Sequence, residues 1–159
     1  MLFRSARLGE VSNRGIEASA TMTAAPGLSI VAGFVLSKPE VERRAAQLTA
    51  AGTVPVGPVP RTINVNVDYA PTALNGWAGS LQWTSLSSRV EADSDAYALP
   101  PLDTLNAGLR YARKLFTHPS SLRFDVANLT NAAGLTISPQ YSVLPQIRRN
   151  YTLTFTIDI

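Results

Sequence analysis

The sequence contains no cysteine, a single histidine (His118) and only 16% charged residues. Without cysteine there is no disulfide scaffold and no thiolate metal site. One histidine cannot build a metal cluster, and nothing in the chain pairs a nucleophile with a base, so neither a cofactor nor an enzymatic activity is expected. Charge this sparse is low for a water-facing surface and favours a lipid-facing one. The net charge of +3 comes without a clustered basic patch, which argues against nucleic acid as a partner.

A long hydrophobic run is also missing. Ala18 to Ser37 carries no charge, but Pro26-Gly27 interrupts it and Ser19, Thr21, Thr23 and Ser29 dilute it. Its most apolar part, Leu28 to Leu36, falls short of the roughly 20 residues that a spanning helix needs. Two strands joined at Pro26-Gly27 fit better. The start, Met1-Leu2-Phe3-Arg4, has no basic segment leading into an apolar run, so no export signal is read there.

What the chain does have is a two-residue rhythm. In Asn150 to Ile159, Tyr151, Leu153, Phe155, Ile157 and Ile159 share one parity, while Thr152, Thr154, Thr156 and Asp158 share the other. A strand sends successive side chains to opposite faces, so such a segment has one apolar and one polar face. The same pattern recurs upstream. Arg14 to Thr23 sets Ile16, Ala18, Ala20 and Met22 against Glu17, Ser19, Thr21 and Thr23; Leu28 to Ser37 follows with Leu28, Ile30, Ala32, Phe34 and Leu36. Arg61 to Tyr69, Trp77 to Thr84, Thr104 to Lys114 and Leu122 to Val126 continue it, and Leu2 to Leu8 is a weaker candidate. Segments of about ten alternating residues separated by turns are the signature of transmembrane β-strands. The expected fold is therefore all-β, an antiparallel meander of about eight barrel strands.

The connections alternate in length. Short turns are expected at Pro26-Gly27, around Pro71 to Asn75-Gly76, and at His118-Pro119; aperiodic loops are expected over 39 to 60, about Val90 to Pro101, and about Thr130 to Arg148. Outer-membrane barrels place tight turns on the periplasmic side and long loops outside, whereas a soluble sandwich has no reason to sort its loops this way. Extending the apolar parity to the loop-side strand ends reaches Arg14, Lys38, Arg61, Arg89 and Arg149. Cations at a membrane interface snorkel towards polar groups, and these five are candidates for contact with lipopolysaccharide phosphates or for generic anchoring. Trp77, Tyr69, Tyr111 and Phe116 lie near the short turns, where an aromatic girdle belongs.

Several motifs, in order, resemble the C-terminal part of a TonB-dependent outer-membrane receptor of the siderophore type. They are Asn13-Arg14-Gly15-Ile16-Glu17-Ala18, Pro26-Gly27-Leu28, Pro60-Arg61 opening a strand, Val126-Ala127-Asn128-Leu129-Thr130-Asn131, and Arg148-Arg149 before the final strand. The resemblance implies a barrel of 22 strands around an N-terminal plug, residence in the outer membrane of a Gram-negative bacterium, and uptake of a ferric siderophore powered through TonB. On that reading residues 1–159 form the C-terminal portion of the barrel, without plug, export signal or upstream strands, and are not expected to transport alone. The final strand (Tyr151, Leu153, Phe155, Ile157, Ile159) would present the signal to the barrel-assembly machinery, with Ile159 where the family commonly ends in phenylalanine.

Glu17, Asp68, Arg110, Arg123 and Asp125 fall on the polar, lumen-facing parity. In a complete receptor they would pair with each other or with the plug, and less often meet substrate. Glu91, Asp93 and Asp95 lack regular ligand spacing and fit a solvated acidic loop better than a cation site. Asn128-Leu129-Thr130 matches a glycosylation pattern by coincidence. Two other architectures remain open at this point: a complete eight-stranded outer-membrane barrel with a structural or binding role, which closure permits, and a soluble β-sandwich.

Overall fold

A computed structural model of the chain describes residues 9–43, 55–56, 58–90, 97–138 and 142–158. Seven strands form one antiparallel sheet: β1 (Gly9–Ala25), β2 (Leu28–Arg43), β3 (Arg61–Tyr69), β4 (Trp77–Leu86), β7 (Leu102–Leu115), β8 (His118–Ala127) and β11 (Asn150–Ile157), in that spatial order. Two small hairpins, β5 (Arg89–Val90) with β6 (Ala98–Leu99) and β9 (Leu135–Ile137) with β10 (Val143–Pro145), stand apart from it. β1 and β11 are the outer members, so the described sheet is open. The Leu2 to Leu8 candidate lies outside the described residues.

The register carries the apolar parity unbroken from strand to strand. Met22 pairs with Ile30, Ile30 with Val67, Val67 with Leu81, Leu81 with Ala107, Ala107 with Val126, and Val126 with Tyr151. One residue of slip at any pairing would send that strand's apolar side chains to the opposite face. The one register shift among these pairings is a bulge between Thr23 and Ala25, at the turn end of β1; elsewhere the pairing holds, so a single apolar face spans seven strands. It is not covered: Leu109 is 48%, Leu153 68% and Phe155 59% exposed. Each strand of the main sheet touches only its ladder neighbours to any extent, and no second layer packs on it among the described residues. A sandwich would bury these side chains, so that architecture is ruled out.

The buried residues sit at one end instead. Leu99, Leu102, Val126, Ser85 and Asn128 lie at or near the loop-side ends of β4, β7 and β8, under the long connections. Those connections hold more order than the sequence suggests: the second contains the β5–β6 hairpin and the third the β9–β10 hairpin.

Two prolines correct the expected boundaries. Pro39 lies inside β2, which runs on to Arg43, so the first long loop begins later than residue 39. The N–H of Ser37 donates to the Pro60 carbonyl, which places the nitrogens of residues 37 and 39 on the side away from β1. β3 begins only at Arg61, opposite Leu36, so the missing donor of Pro39 faces no ladder, as proline in a strand requires. Pro119 likewise belongs to β8. The turn sits two residues earlier, at Phe116-Thr117, with Phe116 in the left-handed region (φ 57°).

At the β1–β2 turn Gly27 has φ +78°, and a Cβ there would lie 2.6 Å from the Ala70 carbonyl oxygen. Gly27→Ala is expected to cost about 1–3 kcal/mol, measured as a lower guanidinium midpoint in detergent. Gly79→Ala, whose Cβ would meet nothing nearer than 3.9 Å, should stay within about 0.5 kcal/mol.

Candidate functional site

The face opposite the apolar one is a hydrogen-bonded polar surface. Asn64 and Thr84 are register partners, and the Thr84 hydroxyl donates to Asn64 Oδ1 at 2.9 Å. One row nearer the short turns, Asn106 Nδ2 donates to Gln82 Oε1 at 3.0 Å. Cross-strand pairs of this kind satisfy groups that apolar surroundings would penalise.

Four of the five predicted lumen-side charges converge below these rows. Arg110 and Arg123 are direct register partners, and Asp125 lies opposite Gly108. Two like charges face to face are unfavourable alone. Arg123 is compensated by a two-pronged contact, its Nε 2.9 and 2.7 Å from the Asp125 oxygens, and the Asp68 carboxylate adds a further favourable charge. Gly108 makes the arrangement possible, because a Cβ there would fall 2.6 Å from Ser80 Oγ and 2.7 Å from Asp125 Oδ1. The result is a recess of about 220 Å³ lined by Asp68, Ser80, Arg110 and Arg123. Glu17 is not part of it; it faces Val35 on the outermost strand pair.

The five loop-side cations are in different situations. Arg14 and Lys38 are register partners, and Arg61 is opposite Leu36 one row closer to the sheet centre. Lys38 Nζ lies 2.8 Å from Glu40. That hydrogen bond and the lysine charge, with Arg14 adding to them, hold the exposed Glu40 carboxyl below the usual glutamate range. The Arg89 guanidinium turns to the Leu135 carbonyl at 3.2 Å and ties the β5–β6 region to β9. Arg149 donates its backbone N–H to Asn131 Oδ1 at 3.1 Å. Extending the same parity up β7 reaches Asp103, opposite Ser85, so the loop-side rim is not uniformly basic.

At the opposite end the Trp77 and Tyr111 rings lie 4.7 Å apart across β4 and β7 with their planes tilted by 36°, and Tyr69 lies opposite Leu28. Phe116 is 93% exposed at the tip of its turn. Glu91, Asp93, Asp95 and Ile159 lie outside the described residues, and no group of metal-ligating side chains forms among those described.

Sequence reasoning missed the structural task of Asn128. It is 3% exposed and adopts the left-handed conformation (φ 51°). Its Nδ2 donates to the carbonyls of Ala132 and Ile147 at 2.9 and 3.0 Å, while its Oδ1 accepts from Ala132 N–H at 2.8 Å. One side chain thus joins both ends of the third long connection. Asn131, also left-handed (φ 55°), repeats the device towards Arg148 and Arg149. The available signal was two asparagines three apart at a strand end, since asparagine tolerates positive φ better than most residues.

A seven-stranded antiparallel meander with one apolar face, one polar face and connections sorted by length has the layout of an outer-membrane β-barrel wall. The family model "TonB dependent receptor-like, beta-barrel" matches residues 2–129, and the chain belongs to that family. Among solved structures, the chain is similar to BauA, the ferric preacinetobactin receptor of Acinetobacter baumannii, with a TM-score of 0.84 at 23% identity. The match covers 96% of this chain and 23% of BauA, so the chain spans about a quarter of that receptor's length. No curated protein matches.

Asn128→Ala removes three hydrogen bonds and an asparagine suited to its backbone. We expect a loss of about 1–3 kcal/mol at the loop base, seen as faster proteolysis between Leu129 and Arg149 while the β-sheet signal stays constant. Asn128→Gly, which keeps the conformation but not the bonds, should be nearly as susceptible; unchanged cleavage in both variants would remove the clamp.

Proposed function

We propose that this chain is the C-terminal portion of the barrel of an outer-membrane receptor that takes up a ferric siderophore with energy from TonB. The observation that carries the reading is the unbroken apolar face over seven strands, exposed and backed by a polar face. A contiguous apolar surface of that extent is far beyond what a water-soluble monomer presents. Membership of the receptor barrel family and the fold shared with a protein named as a ferric preacinetobactin receptor support it. The cluster around Gly108 would face the lumen, where it meets the plug or the passing ligand; β11 would carry the signal for the barrel-assembly machinery.

The same physics argues that the chain does not transport by itself. Among the described residues the sheet has two unpaired edges, and each backbone group left unpaired in hydrocarbon costs several kcal/mol. Cells producing only these 159 residues should therefore take up no labelled ferric siderophore above background. The chain itself should sediment with membranes and resist carbonate extraction but not detergent. Uptake above background would contradict the need for further strands, and release by carbonate would contradict the membrane reading.

A further inference from the structure

One side chain belongs both to the polar face and to the base of the long connections. Asn106 lies opposite Gln82 on that face, and its Nδ2 donates to Gln82 Oε1. Its Oδ1 accepts from the backbone N–H of Asn128 at 2.9 Å. That N–H has no ladder acceptor, because the pairing of β7 with β8 ends at Ala107 and Val126. The next N–H, of Leu129, goes to the Leu105 carbonyl, so two successive residues of β7 lead the chain off β8. The two bonds fix the Asn106 amide: turned over, it would set its NH2 against a donor.

From Asn128 the bonds continue outward. Its side chain holds the carbonyls of Ala132 and Ile147, the Gly134 carbonyl accepts from Gln146 N–H at 2.9 Å, and the Leu135 carbonyl accepts from Arg89. The inner end is different: Gln82 is exposed, and its Nε2 has no partner among the described residues. Asn128, at the outer end, is 3% exposed, so a bond lost there is not replaced by water. We infer that Asn106 is a positioning residue that couples the polar face to the second and third connections, so that whatever binds Gln82 inside the barrel sets how firmly their bases are held. With Gln82 in place the Asn106 amide plane is pinned and Oδ1 stays on the Asn128 N–H; without it the amide turns about a soft torsion. A group that accepts from Gln82 Nε2 steadies that amide and tightens the base. One that donates to Oε1 competes with Asn106 and loosens it. This rests on the reading of the polar face as the lumen face.

The test is limited proteolysis of the chain in lipid vesicles, reading cleavage between Leu129 and Arg149 at equal β-sheet signal. Gln82→Met keeps the size of the side chain and removes its hydrogen bonds; it should speed that cleavage at least about threefold, the scale of coupling within one hydrogen-bond network. Thr84→Val removes a comparable bond, to Asn64, one row nearer the loops, and should leave the rate at the parent's. Adding Gln82→Met to Asn106→Ala should give no further increase. Asn106→Asp with Gln82→Lys keeps an acceptor for Asn128 and restores a donor–acceptor pair, so the rate should return to within about twofold of the parent. Parental cleavage in Gln82→Met, an equal rise in Thr84→Val, additive effects of Gln82→Met and Asn106→Ala, or a failed rescue overturns the coupling. Any of these in a parent that resists carbonate extraction leaves the membrane reading standing. A parent released by carbonate overturns the lumen reading and, with it, the role given to Gln82.

Discussion

Backbone hydrogen bonding is the constraint on which this molecule depends. In hydrocarbon, water is not available to satisfy an N–H or a carbonyl, so a chain that crosses by strands must pair each one laterally. Among the described residues the meander does this with ladders that run from β1 to β11, and leaves only the outer edges of those two strands unpaired. Once lateral pairing is obligatory, the two faces of each strand are free to differ completely. Register then has to be kept over the entire sheet, because a single slip would put asparagine and aspartate into lipid. The rows through Asn64, Gln82 and Asn106 have hydrogen-bonding partners of their own, which favours the register that keeps them together.

The ends of the strands obey other rules. At the short-turn end the chain reverses within a few residues, and left-handed positions at Gly27, Asn75, Gly76 and Phe116 make the reversals possible. At the other end the connections are long, and they are organised from their bases: Asn128 and Asn131 gather the third, while Arg89 joins the second to the third through Leu135. The buried apolar side chains among the described residues (Pro39, Leu99, Leu102 and Val126) lie at this end. The barrel wall is thus held by its ladders, and its conventional core serves the loops.

Much of this was legible in the residues. Period-two alternation exposes strands and faces directly, so β3 emerges with the bounds expected for it and the apolar parity is the same in sequence and structure. The features that escaped are those that periodicity does not encode. β5, β6, β9 and β10 are two or three residues long, too short to show a rhythm. Proline looked like a strand breaker at positions 39 and 119, because its harm depends on whether its nitrogen faces a partner strand, which is a property of the neighbours. The convergence of Asp68, Arg110, Arg123 and Asp125 required the register of four strands and the space left by Gly108. The rim looked purely basic until β7 was seen to start at Leu102, which brings Asp103 into it.

Because the chain has no cysteine, single cysteines can be placed at residues 63 to 68 and spin-labelled without competition, with the protein reconstituted in lipid vesicles. Collision with oxygen, which concentrates in hydrocarbon, should be high at 63, 65 and 67, and collision with a water-soluble nickel chelate high at 64, 66 and 68. Labels at 63, 65 and 67 shielded from both reagents, or no alternation at all, would mean that these side chains do not face lipid and would contradict the account.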